Sequence, residues 1–322
     1  NRWQTEHQCR VITEKEMLAD LPEALAAMDL PTIDGVNSWF VSREAKRSGL
    51  TVALSGVGGD ELFAGYPSFR KVPRIAHLPA GITWLAKLPG WHKGWSLLPG
   101  NAVARDKLVA YISGEMSYPH PYFAVRGLLT HVQIQALLRP EINERLMSGC
   151  DDLLTWKESV SQQVKFSEQY DAIGQVSWLE LSQYMRSTLL RDTDMMSMAH
   201  SLEIRVPFVD HKLVENVLPI SGARKSFGHY PKPLLATAMA DLLPPELSSF
   251  KKRTFTFPFQ AWLRQGLSSE VSHRLSSLSE PLHCWLSPAA TSKVWSDFEH
   301  GRTNWARPWA LYVLDNWIKS NL

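Results

Sequence analysis

Hydrophobic positions recur at helical spacing near both ends of the chain, with a short continuous apolar run between them. Over ITEKEMLADLPEALAAMD (12–29), Met17, Leu18, Leu21, Leu25 and Met28 fall at near-helical intervals. Thr13 ahead of them and Glu16 three residues on have the form of a capping box. PTIDG (31–35) reads as a turn, and VNSWFVSREAKRSG (36–49) as a second helix stopped by Gly49. CRVI (9–12) is strand-like. TVALSG (51–56), apolar and β-branched with turn glycines behind it, predicts a short buried strand. Strand, helix, helix, strand is the order of an open α/β sheet with helical crossovers.

Farther along, residues 76–150 are rich in Pro and Trp and predict only short helical pieces. From Val176 the helical period returns, with Trp178, Leu181, Met185 and Leu189 on one stripe. Met195, Met196 and Met198 read as core filler. KPLLATAMADLLPPEL (232–247) predicts an amphipathic helix ended by Pro244-Pro245. In the tail, Ala310, Val313, Leu314 and Trp317 share one helical face. The expected fold class is α/β, with an α/β core part over 1–75 and a mainly helical part over 76–322.

Composition narrows the picture further. Of 322 residues, 44% are hydrophobic and 20% charged, which suits a globular chain with a sizeable core. A net charge of +2 gives no reason to expect nucleic acid or an anionic membrane as partner. Cys9, Cys150 and Cys284 are far apart, so neither a disulfide framework nor a zinc site is indicated. No apolar run approaches the roughly 18 residues that span a bilayer. A cytoplasmic protein is the expectation.

The chemistry concentrates in LSGVGGDELFAGY (54–66). A strand entering a glycine-rich loop and then a helix is a general construction for holding phosphate on backbone N–H groups. The loop is neither a Walker A sequence nor GxGxxG. Asp60 beside an anionic phosphate calls for a cation between them, and Mg²⁺ suits that place. Alternatively Asp60 and Glu61 complement the positive end of the following helix.

LSGVGGDELFAGYPSF resembles the second signature of the asparagine synthetase family, in its synthetase (ATP-pyrophosphatase) domain. The resemblance continues through PTIDGVNSWFVSREAKRSGLTVALSG, LLRDTDMMSMAHSLEIRVPFVDHKLVE, KPLLATAMADLLPPEL with KKRTFTFP, and GRTNWARPWALYVLDNW. It implies an ATP-dependent ligase that adenylates a side-chain carboxylate, usually that of aspartate. Ammonia from glutamine then forms the amide and AMP is released. On these residues it implies Ser55, Gly56, Gly58 and Gly59 at the nucleotide and substrate, and Asp60 on Mg²⁺. It implies Lys252 and Lys232 as the catalytic cations, and Arg191, Asp192 and Asp194 near the nucleotide. Glu203 and Arg205 either shape the wall or form a structural ion pair. A homodimer is compatible with the resemblance.

Two features depart from the family's pattern. Val57 stands where well-studied members have Glu, and valine neither takes a proton nor accepts a hydrogen bond. The SGGxDS loop and the N-terminal glutaminase domain have no counterpart in this sequence. The chain therefore reads as the C-terminal portion of a glutamine-dependent amidotransferase, expected to bind ATP poorly by itself. Two alternatives are a non-catalytic binding or scaffold module, and an amidotransferase for a cell-surface polysaccharide or secondary metabolite.

Overall fold

The computed structural model describes residues 5–79, 102–114, 120–148, 151–227, 231–244, 246 and 255–322. The first helix, Glu14–Ala26, begins where the capping box predicts. The Thr13 hydroxyl accepts from the Glu16 amide at 3.2 Å, and the Glu16 carboxylate accepts from the Thr13 amide at 3.0 Å. Its Met17, Leu21 and Ala24 are buried, as is Met28 just beyond. The second helix, Gly35–Arg47, buries Val36, Trp39 and Phe40, and Gly49 follows at φ +85°. Both pack against the C-terminal helices Ser268–Ser276, Pro288–Glu299 and Ala306–Asn321 in one hydrophobic core. At its centre the Phe259 ring lies 4.5 Å from Trp309 and 5.0 Å from Trp305.

The last helix is not turned on the face its spacing predicts. Val313 is buried, but Ala310, Leu314 and Trp317 are only partly so. Trp309, Tyr312, Asp315 and Ile318 point inward instead. Asp315 on this inward face is fully buried and accepts from the Ser279 amide and hydroxyl, both at 2.8 Å.

The sheet is small. Strand β1 (Val52–Leu54) pairs in parallel with β2 (Glu203–Arg205), Ala53 opposite Ile204. β1 is not buried as its composition predicts. Among the described residues it has one neighbouring strand, and Val52 and Leu54 are 40% and 75% exposed. Residues 9–12 form no strand either; Arg10 is tied to Glu16 at the start of the first helix and Glu44 near the end of the second.

The middle of the chain departs most from simple periodicity. Ala172–Leu179 is α-helical, Glu180–Leu189 is a π-helix, and Leu190–Met198 returns to α. The widened turns shift the stripe, so Met185 is buried while Trp178, Leu181 and Leu189 are partly so. Met196 is core, but Met198 is 56% exposed. The helix expected over 232–247 is shorter, Pro233–Ala238. Its Leu234 and Leu235 pack on Leu62, Phe63 and Val217, whereas Met239 and Leu242 beyond it find no such partners and are exposed.

Candidate functional site

The glycine-rich stretch forms a tight turn at the end of β1. The Ser55 amide donates to Arg205 O at 2.8 Å, carrying the parallel ladder one residue past the strand. The Ser55 hydroxyl then accepts from the Val57 amide at 3.3 Å. Gly58 has φ +98°, and a Cβ there would lie 2.7 Å from Val209 Cγ1 and 3.2 Å from Phe208 C. Only glycine fits both the backbone and the space. Gly59 opens the helix Gly59–Leu62 over the Phe208 ring. Gly56 is different: a Cβ on it would meet nothing within 4 Å.

After that helix the chain turns through Ala64 at φ +58°, and the Gly65 amide donates back to Asp60 O at 2.8 Å. A Cβ on Gly65 would sit 1.9 Å from Asp60 Oδ1. The Asp60 carboxylate thus occupies the place a side chain at 65 would take. Lys232, at φ +53° before its helix, donates from Nζ to Asp60 Oδ1 at 3.0 Å. A bulky residue in the left-handed region marks a position held by its surroundings.

This turn opens onto a cavity of about 730 Å³. Ser55, Gly56, Val57, Gly58, Asp60 and Glu61 form one wall. Asp34, Tyr66, Tyr184 and Phe255 line it as well. The Tyr66 hydroxyl donates to Glu61 Oε1 at 2.6 Å and the Tyr184 hydroxyl to Asp34 Oδ2 at 2.7 Å. Arg126 lies between the two rings, its guanidinium carbon 4.4 Å from Tyr66 and 4.2 Å from Tyr184. Arg126 in turn donates to Glu180, which is fully buried and also accepts from Ser68 at 2.6 Å and Tyr122 at 3.3 Å. Glu180 and Tyr184 lie four apart in the π-helix and both meet Arg126.

Burial pushes the Glu61 carboxyl above its ordinary range, and the hydrogen bond from Tyr66 opposes it. Burial likewise holds the Tyr66 and Tyr184 hydroxyls protonated well past their usual range, aided by Glu61 and Asp34 respectively. Both phenols therefore donate and both carboxylates accept.

The residues singled out from sequence fall into separate places. Ser55, Gly56, Gly58 and Asp60 line the cavity, and Lys232 reaches it through Asp60. Gly59 does not line it and packs on the Phe208 ring. Arg191 and Asp194 line a neighbouring cavity of about 550 Å³, which shares Thr193 and Ile204 with the first. Arg191 pairs there with Asp29 at 2.5 Å. Asp192 lines neither; it is buried, accepting from the Thr32 hydroxyl at 2.8 and 2.9 Å. Burial, then the charges of Asp34 and Asp29, raise its carboxyl to about 7 against the pull of Thr32. Glu203 and Arg205 pair with each other on β2 at 2.7 Å, and both are exposed. Lys252 lies outside the described residues. Glu61, read from sequence as serving the helix terminus, instead turns inward to Tyr66. Asp34, Gly65, Tyr66, Arg126 and Tyr184 were not singled out. Tyr66 and Gly65 sit inside the glycine-rich stretch; the others meet it only through long-range packing.

Comparison with known proteins gives a consistent answer. The asparagine synthase family model matches residues 1–319. Asparagine synthetase [glutamine-hydrolyzing] 1 of Bacillus subtilis is 26% identical over 277 residues, 83% of this chain and 40% of that protein. A putative asparagine synthetase [glutamine-hydrolyzing] of Mycobacterium bovis is 25% identical over 319 residues, 97% of this chain and 46% of its own length. An amidase of Penicillium rubens, chyE, is 25% identical over 253 residues, 72% of this chain and 36% of that protein. The chain spans less than half the length of these relatives.

Proposed function

The chain belongs to the asparagine synthase family, and from that premise we propose that it carries the synthetase chemistry of an ATP-dependent amidotransferase. One observation carries this reading: the turn at Ser55–Asp60 brings open glycine backbone and the Asp60 carboxylate, itself paired with the Lys232 ammonium, to one wall of the large cavity. In the proposed reaction a side-chain carboxylate, of aspartate or a related acid, attacks the α-phosphorus of ATP and pyrophosphate leaves. Ammonia from glutamine attacks the acyl carbon, AMP leaves, and the nitrogen gives up a proton as the amide forms.

The open space at Gly56 lets a phosphate approach the backbone. Lys232, with Lys252 as a second cation, would offset charge gathering on the phosphate oxygens. Among the described residues no group of three side chains is assembled to hold a metal ion. Asp60 at the cavity wall still suits Mg²⁺, which takes one or two carboxylates together with substrate phosphates. When bound, that ion neutralises phosphate charge. Val57 offers no proton acceptor, so the amine proton falls to a neighbouring carboxylate, and Glu61 with its raised affinity for protons is suited to take it.

The apolar Val57 on the cavity wall favours a second reading, in which the acid is not aspartate. Both are tested by carboxylate-dependent exchange of labelled pyrophosphate into ATP with the full-length gene product. Exchange that requires aspartate assigns that acid; exchange with another carboxylate alone moves the chain to a specialised amidotransferase. Absence of exchange with every acid tried refutes both and leaves a binding or scaffold role.

A further inference from the structure

The helix Pro121–Arg126 borders two cavities. Arg126 meets the tyrosines of the candidate site, while Ala124 and Val125 line a separate cavity of about 390 Å³. Lys71 and Arg74 of the helix Ser68–Ala76, and Lys107 of the helix Ala102–Ile112, stand on its wall. No Asp or Glu is among the described residues that line it. The rest of the wall is largely aliphatic, including Ile75, Val103 and Leu108. Lys71 and Arg74 are exposed and Lys107 is partly buried, so an anion entering the apolar pocket would meet three positive charges and no carboxylate among the described lining residues.

Lys107 is the least solvated of the three. Its ammonium donates to Val125 O at 3.1 Å and Gly127 O at 2.7 Å, which leaves one of three N–H donors for another acceptor. Burial pushes it down to about 8, and the charges that add to this, Arg307 and Lys71, are both positive. Arg307, which donates to Leu128 O at 3.1 Å and Gln133 Oε1 at 2.9 Å, is not among the described residues that line the cavity.

We propose that this cavity is a second binding site, for an organic anion with an apolar body. A carboxylate or phosphate sits among Lys71, Arg74 and Lys107, and the body lies against Ile75, Val103 and Leu108. The inference is independent of the activity proposed for the main cavity.

Calorimetric titration of the full-length protein with octanoate, octyl phosphate, octanol and octylammonium tests it. One anion is expected to bind at a single site about tenfold or more tighter than octanol, with octylammonium weakest, as for charge-assisted hydrogen bonds. Tighter binding of octanoate assigns a carboxylate ligand; tighter binding of octyl phosphate assigns a phosphate ester. Lys71 and Arg74 are exposed, so Lys71→Glu with Arg74→Glu should leave the thermal midpoint unchanged and weaken the anion about tenfold or more. Ala104→Trp, also exposed on the wall, should abolish binding by filling the space. Failure of both anions to saturate, octanol binding as tightly, or binding that survives both variants would overturn the proposal.

Discussion

Replacing Arg126 by Met tests the polar network behind the candidate site. The Glu180 carboxylate is fully buried and has three donors: Arg126 at 2.7–3.0 Å, Ser68 at 2.6 Å and Tyr122 at 3.3 Å. Arg126→Met leaves the two hydroxyls and no countercharge. Removing one partner of a buried ion pair typically costs about 3–5 kcal/mol, because the other charge stays desolvated. The Arg126 side chain is 27% exposed, which admits some water and moves the expectation to the lower end, about 3 kcal/mol. The guanidinium also fills the space between Tyr66 and Tyr184, so their near-ultraviolet circular dichroism should change. Equilibrium urea unfolding, followed by tryptophan fluorescence, reads the loss as a lower midpoint at similar slope. The decisive comparison is Arg126→Met with Glu180→Leu, where the stranded charge is gone. That double variant should be more stable than Arg126→Met alone. A single-variant loss below about 1 kcal/mol, or a double variant no better than the single, would refute the reasoning that Glu180 depends on this one cation.

Three further outcomes are expected. Asp192 has a carboxyl raised to about 7 when folded against roughly 3.9 unfolded, so its favourable contribution is full below about pH 4 and lost as pH rises through 7. Asp192→Asn should therefore match the parent at pH 4 and exceed it by about 2–4 kcal/mol at pH 8 in chemical denaturation, and equal stability at both would contradict the shift. Gly58→Ala should cost about 2–5 kcal/mol from the backbone and the contact with Val209, while Gly59→Ala, only in ordinary contact with Phe208, should stay within about 1 kcal/mol. Gly65→Ala forces the Asp60 carboxylate to swing away from Lys232 and presses on the Asp60 Cα at 3.0 Å; it should reduce pyrophosphate exchange as strongly as Asp60→Asn and lower thermal stability by about 1–3 kcal/mol.

What could be read from sequence was what short segments decide alone. Thr13 and Glu16 meet within one helical turn, so the start of the first helix is visible in four letters. The glycine spacing at 56–59 likewise announces a tight turn, and Gly58 bears it out. Exposure of β1 was not legible, because an apolar tripeptide carries no record of how many strands flank it. Nor was the π-helix, since its widened turns break the period used to assign a buried face. In the site, Asp60 and Lys232 stood out by residue type, but their 3.0 Å pairing spans 172 positions. The Tyr184–Asp34 bond spans 150, and Arg126 reaches Glu180 across 54. Side chains that converge from such separations leave no pattern in any window of the chain.

The main core joins helices at residues 14–47 to helices at 259–321. During synthesis Met17, Trp39 and Phe40 must wait for Phe298, Trp309 and Tyr312 to leave the ribosome. At about 5–20 residues per second, the roughly 270 residues between them take on the order of 15–55 s. Through that interval the amino-terminal helices hold an uncovered apolar face, and non-native association competes with completion. A chain built this way should depend on chaperones that shield nascent chains, and it should gain soluble yield from slower induction at lower temperature more than from a stronger promoter.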